Sequence, residues 1–299
     1  MCRPPSENRR RRSILLLSLF VFLDCTLPGR AVAHGEPASL AEWGGFGRLI
    51  ASCQRAIGKA GFLCGVGTWQ ARRTCLDADL RGEPCDEEAA DEAAGEARSR
   101  GIRLVQSSCS FQQLQNLRFI DLSEAQLDVI RFCTQLDTGL VSAVYGYGDT
   151  AGMANAETEI SCRLSAAHAA NKLIHFAFHA RLGAMDRIAA SPLLLAAKMD
   201  VVDHSTAELE RARSELAEQL GTECTDSSFT DLYDRSIDAF LATIASRADC
   251  LIGATYAQAA VQCPEPICGN GMQEPGEQCD DGNDVETDAC TTACRRTGS

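Results

Sequence analysis

Basic residues are in short supply in this chain. Its 299 residues carry 28 Lys and Arg against 41 Asp and Glu, a net charge of −13. A surface of that sign repels nucleic acid and anionic lipid, so no nucleic-acid partner is expected. Long apolar runs are missing too. After residue 33 no segment has the 18 or more apolar residues of a membrane span. β-branched runs are scarce. Ala, Leu, Glu, Arg and Gln dominate instead, and Gly and Pro gather between segments, which is the composition of a helical body. No G-x-S-x-G, H-E-x-x-H or Walker sequence occurs, so the common hydrolase, metalloprotease and nucleotide-binding signatures are absent. No C-x2-C zinc knuckle occurs either; Cys290 and Cys294 are the closest pair, at C-x3-C.

The first residues read as a secretory signal. A block of four arginines at 9–12 precedes an apolar run at 14–23 that is too short to span a bilayer. Pro28 and Gly29 break any helix, and Ala31-Val32-Ala33 supplies a small-x-small cleavage site. Cleavage is expected before His34. Asp24 stands where lipidation of Cys25 needs a small residue, so no lipid anchor is expected there. Loss of residues 1–33 removes six basic residues and two acids. The mature chain then has 22 against 39, a net charge of −17. It is expected to be secreted, or to sit on the exterior of the cell envelope.

Cysteine is plentiful. Of the 16, Cys2 and Cys25 leave with the signal, and an even 14 remain. In an oxidising compartment thiols pair, so all 14 are read as disulfide partners: Cys53, Cys64, Cys75, Cys85, Cys109, Cys133, Cys162, Cys224, Cys250, Cys263, Cys268, Cys279, Cys290 and Cys294. Cys53, Cys109 and Cys133 have counterparts in Cys162, Cys224 and Cys250, at offsets of 109, 115 and 117 residues. ARSRGIRLVQSSC, ending at Cys109, matches ARSELAEQLGTEC, ending at Cys224. The expected architecture is a mainly α, disulfide-stapled helical bundle of two related units, 34–148 and 155–263, followed by a small irregular cysteine-rich module at 264–299. Each unit needs one more cysteine: Cys263 in the second, and one of Cys64, Cys75 and Cys85 in the first. The pairing itself cannot be deduced from spacing.

Local signals support helices. Asp86 to Glu96 is acidic and turns basic at Arg98, Arg100 and Arg103, which suits a helix dipole. S-E-A-Q from Ser123 to Gln126 has the form of a capping box. After Phe229, the residues Tyr233, Ile237, Phe240, Ile244, Ala248 and Leu251 step by three or four, the spacing of one helix face.

The tail carries few apolar residues and many turns. Its order is Cys268-Gly269-Asn270-Gly271, Gly276-Glu277, Cys279-Asp280-Asp281-Gly282-Asn283, then Asp288, Cys290 and Cys294. This pattern resembles the Myxococcus-type cysteine-rich disulfide repeat. The resemblance covers 268–294 and implies an exported or surface protein with no enzymatic activity tied to the module. Thr287 and Ala289 stand where the family usually has glycine. A piece this small cannot fold on burial alone, so two disulfides among its four cysteines must supply the constraint. Asp280, Asp281, Asn283 and Asp288 form an oxygen-rich cluster that can bind calcium, although the spacing is not that of an EF-hand. The plainer reading is a solvated acidic loop, and no cofactor is required.

Three histidines, His168, His175 and His179, fall within a narrow arc of one helix. Such spacing can hold a transition metal, but no acid or cysteine completes the set, and a core-bordering role is favoured. His34, leading the mature chain, could chelate copper through its amine and ring; that brace belongs to β-sandwich enzymes, and this composition is helical. GYGDTA at 146–151 follows the strand-like LVSAVY and fits the dinucleotide pattern, but no alternation of strands and helices surrounds it. The expected role is non-catalytic: binding, adhesion or structure outside the cell, with a protein or glycan as partner. The rival is a metal-binding protein or metal-dependent enzyme using His168, His175 and His179, or His34.

Overall fold

The computed structural model describes residues 43–145, 157–256, 290, 291 and 295. Among these residues there are eight helices and no β-strand. They are α1 (Arg48–Leu80), α2 (Glu87–Ser108), α3 (Phe111–Asn116) and α4 (Leu122–Tyr145), then α5 (Glu157–Ala190), α6 (Leu195–Glu223), α7 (Asp226–Tyr233) and α8 (Ile237–Thr255). The fold is mainly α and carries disulfides, as the composition implies. No helix among the described residues is long and apolar enough to cross a membrane.

The same succession occurs twice: a long helix, a second helix, a short helix and a fourth helix. Cys53 is the sixth residue of α1 and Cys162 the sixth of α5. Their partners, Cys109 and Cys224, are the extended C-cap residues of α2 and α6, with φ −118° and −120°. Each C-cap amide donates to a carbonyl four residues back, Val105 O and Leu220 O. Offsets of 109 between the long helices and 115 thereafter align much else. Trp69 and Phe178 are both fully buried. Ser110 and Thr225 both cap the short helices by accepting from the amide three residues on. Asp121 and Ser236 do the same for α4 and α8.

The contacts between helices follow that correspondence. Every helix pair that meets within α1–α4 has its counterpart within α5–α8. Between the sets, α1 meets α5, α4 meets α8, and the crossed pairs α1–α8 and α4–α5 are reciprocal. This is how two copies related by a two-fold axis would touch. The two sets do not keep separate cores. One apolar cluster runs through both, from Trp43 and Ile57 to Phe178, Phe240 and Tyr256.

Among the described residues, two further bridges lie in the first set. Cys64 pairs with Cys133, joining the middle of α1 to α4, and Cys75 pairs with Cys85, closing the α1–α2 turn. The side chain of Cys250 lies outside the described residues, as do Cys263, Cys268, Cys279 and Cys294. Cys290 is buried and disulfide-bonded.

Three local expectations change. The cap of α4 is Asp121, whose carboxylate accepts from the Glu124 amide at 2.9 Å, so Ser123 lies already inside the helix. The reciprocal box occurs instead at Ser110 and Gln113, at the start of α3. The apolar face after Phe229 is divided between α7 and α8. Asp234 adopts a left-handed conformation (φ 52°) and Ser236 starts a new helix. Asp tolerates that region better than most side chains, which makes it a natural place to break. Finally, the correspondence of Cys133 with Cys250 does not follow helix register. Buried Ala125, Val129 and Cys133 match buried Phe240, Ile244 and Ala248 at the offset of 115.

Candidate functional site

A groove of about 540 Å³ lies between α5 and α6. Ser161, Leu164, Ser165, His168 and Ala169 line it from α5, and Leu216, Gln219, Leu220, Thr222 and Glu223 from α6. Leu216, Leu220 and Ala169 are buried, whereas Ser161, His168, Gln219, Thr222 and Glu223 are exposed. The Cys162–Cys224 bridge ties the two helices at this end, with Cα atoms 5.2 Å apart.

At the matching place in the first set, α2 packs closely on α1. Leu216 corresponds to Gly101 at the offset of 115, and Ala169 to Ala60 at 109. A Cβ added to Gly101 would lie 2.9 Å from the Ala60 carbonyl oxygen and 3.3 Å from Cys64 Cβ. A Cβ on Gly67 would lie 2.6 Å from Ala97 Cβ. Glycine and alanine therefore let α2 lie directly on α1, while leucines hold α6 away from α5.

The three histidines do not form one site. His168 faces the groove. Burial, and then the charges of Lys172 and Arg73, hold its pKa below the ordinary imidazole value, so the ring is neutral at pH 7. His175 and His179 flank Phe62 of α1, with ring centroids 5.7 and 5.6 Å from it. Burial and then His179 lower the pKa of His175. As a neutral ring it can accept from the Gln70 amide nitrogen, 3.1 Å from its Nε2, and that contact occupies a lone pair a metal would need. Among the described residues no three or more His, Cys, Asp or Glu side chains gather as a metal site. Asp280, Asp281, Asn283 and Asp288, as well as His34 and residues 146–151, lie outside the described residues. The segment Leu140 to Tyr145 is the end of α4, a helix, so the dinucleotide pattern lacks the strand it requires.

Two matched polar pairs escaped the sequence reading. Tyr145 donates its hydroxyl to Asp77, which also receives Arg73 Nε at 3.1 Å. Tyr256 donates to Asp186 at 2.7 Å, which receives Arg55 Nε at 2.9 Å. Asp77 and Asp186 are 109 residues apart, as are Cys53 and Cys162. Burial, reinforced by the adjacent carboxylate, drives both phenols well above their ordinary pKa. Neither can act as a base; both are latches that fix the ends of α4 and α8 on the long helices. Tyr256 also packs on Gly58, where a side chain would meet its ring. In the second set Arg181 makes a fork onto Asp249 at 2.8 and 2.9 Å, and donates to Ser205 Oγ at 2.8 Å and Thr206 Oγ1 at 2.6 Å. All of these donors are satisfied, so the network is structural. Only the spacing of 109 residues could have flagged Asp77 with Asp186, and no local signal links Arg181 to Asp249.

A family model described as a domain of unknown function (DUF4215) matches residues 248–295, which spans the last turns of α8 and the cysteine-rich tail. No family is found for the helical body before it. No curated protein matches the chain, and no solved structure does.

Proposed function

We propose that this chain is an exported, non-catalytic scaffold that binds an extracellular protein or glycan, in an adhesive or structural role at the cell surface. One observation carries the reading: among the described residues four disulfides hold the helical body, two of them at matched places in the repeated helices. Disulfides form and persist outside the reducing cytosol. The body also has a large core of its own, so the bridges add rigidity to a fold that burial already supports. A rigid, acidic, duplicated surface suits recognition. The polar pairs with shifted pKa values are saturated by their neighbours, which argues against a proton-transfer role. The tail adds a second disulfide-rich module, and its calcium chemistry would be a stabilising feature rather than a catalytic one.

The test is an intact mass of the natively exported protein, native and then denatured, before reduction. The expected species starts at His34, lacks 14 hydrogens because its 14 cysteines are paired, and holds no stoichiometric transition metal. Free thiols would overturn the export reading. Copper or zinc that is lost when His175 and His179 are replaced by Ala would overturn the non-metal reading.

A further inference from the structure

Repeat symmetry singles out the α5–α6 groove. The first helical set closes this place with Gly101 on Ala60, and the second opens it with Leu216 over Ala169. A mere loss of packing would leave apolar surface bare. Here the floor of Leu164, Ala169, Leu216 and Leu220 is rimmed by three hydroxyls (Ser161, Ser165 and Thr222), the Gln219 amide, the His168 ring and the Glu223 carboxylate. An apolar floor with a few converging polar groups is the general form of a small-ligand site.

The ionised lining is acidic, and the nearest cations, Lys172 and Arg73, act on His168 from outside the lining. Among the described lining residues there is no Lys or Arg, and Glu223 is the one carboxylate. Glu223 sits in the last turn of α6, which has no basic residue to offset the negative end of the helix dipole. The first turn of α5, next to Ser161, carries Glu157 and Glu159. The mouth of the groove thus favours a cation, and its floor favours hydrocarbon. No Phe, Tyr or Trp is among the described lining residues, so a sugar would lack the broad ring it stacks on best.

We propose that the α5–α6 groove binds a small organic cation carrying an apolar chain, in the simplest case a primary alkylammonium. The ammonium sits at Glu223 and the α6 C-terminus, with Thr222 and Gln219 as further acceptors. The chain lies along Leu164, Ala169, Leu216 and Leu220. The proposal goes beyond the reading of the protein as a scaffold for a protein or glycan: it adds a separate small-ligand site. The exposed His168 ring on the rim can accept a hydrogen bond.

The experiment titrates the full-length, disulfide-intact protein with n-octylammonium, n-octanol and n-octanoate, followed by protein NMR and calorimetry. Octylammonium should bind saturably, one to one, with Kd on the order of 1 mM for so small a ligand. Octanoate should bind at least about tenfold more weakly, because the carboxylate meets Glu223. Glu223→Gln should bring octylammonium down to the level of octanol. Ser165→Leu, which intrudes into the groove, should weaken binding at an unchanged unfolding midpoint. Octanoate binding as tightly as octylammonium would overturn the assignment, and so would a wild-type affinity in either variant or no saturation in the millimolar range. The intact-mass result is independent of this titration, so failure of the groove and failure of the export reading are told apart.

Discussion

α1 and α2 meet through glycine and alanine, while α5 and α6 meet through leucine. The two pairs share a disulfide at the same place, the same extended cysteine C-cap on the second helix and many of the same buried positions, yet one is closed and the other holds a groove. Gly101 and Leu216 mark the difference. Glycine lets α2 approach until its backbone nears that of α1, and that close contact compensates for the poor helix propensity of Gly67 in α1 and Gly101 in α2. Leucine buries more apolar area but holds the helices apart. A duplicated fold can thus keep its frame in both copies and change one spacing to make room for a ligand.

If the frame is shared, its strongest common element should act alike in both sets. Cys53–Cys109 closes 56 residues and Cys162–Cys224 closes 62. Replacing either pair with Ala should lower stability by about 4 kcal/mol, since loop entropy grows only with the logarithm of length. The first pair should cost slightly less, because Cys64–Cys133 already constrains the same stretch. Urea unfolding midpoints of the two double variants check this. A large inequality between them would mean that the two sets are not equivalent frames.

The buried arginine should separate the sets. Arg181 is almost wholly buried, with 9% of its side chain exposed, and Arg181→Met would strand Asp249, whose side chain is 23% exposed. A loss of about 3 kcal/mol is expected, because breaking a buried pair leaves an uncompensated charge. Arg72 occupies the matching position and pairs with Asp91 at 3.1 Å, but the two side chains are 42% and 61% exposed. Arg72→Met should cost less than about 1 kcal/mol. Equal losses in the same denaturant titration would show that Arg181 is not the keystone its geometry indicates.

Much of the frame was legible because it is local. Composition and spacing revealed helices, and the acidic run after Asp86 begins α2, whose N-cap is Asp86 itself. The offsets of 109 and 115 survive in the caps, the buried positions and the disulfides. The rest depends on distance through space. Nothing in the sequence says which of Cys64, Cys75 and Cys85 faces α4, because that depends on the rotation of α1 against it. The break at Asp234 leaves the three-to-four stepping of apolar residues intact, so periodicity runs straight across it. Tyr145 and Tyr256 look like ordinary core aromatics until their hydroxyls are seen on Asp77 and Asp186. The groove was invisible for a related reason: its volume is the difference between two interhelical distances, and the residue that sets it, Leu216, is simply one more leucine on a helix.

The smallest effects test that spacing most directly. Gly101→Ala gains helix propensity but places its Cβ 2.9 Å from the Ala60 carbonyl oxygen. That oxygen belongs to the backbone of α1 and cannot rotate aside as a side-chain tip would. A net loss of about 1–2 kcal/mol is expected, within the range for overpacked sites. Gly221, near the end of α6, has nothing within 4 Å of the place a Cβ would occupy. Gly221→Ala should raise stability by about 0.5–1 kcal/mol through propensity and the unfolded chain alone. Thermal unfolding of the two variants should therefore move in opposite directions. If both rise, α2 has room to back away from α1, and the closed pair differs from the open one only by which side chains happen to fill the space. If Gly101→Ala falls while Gly221→Ala rises, the contact of backbone on backbone is what keeps the first set shut.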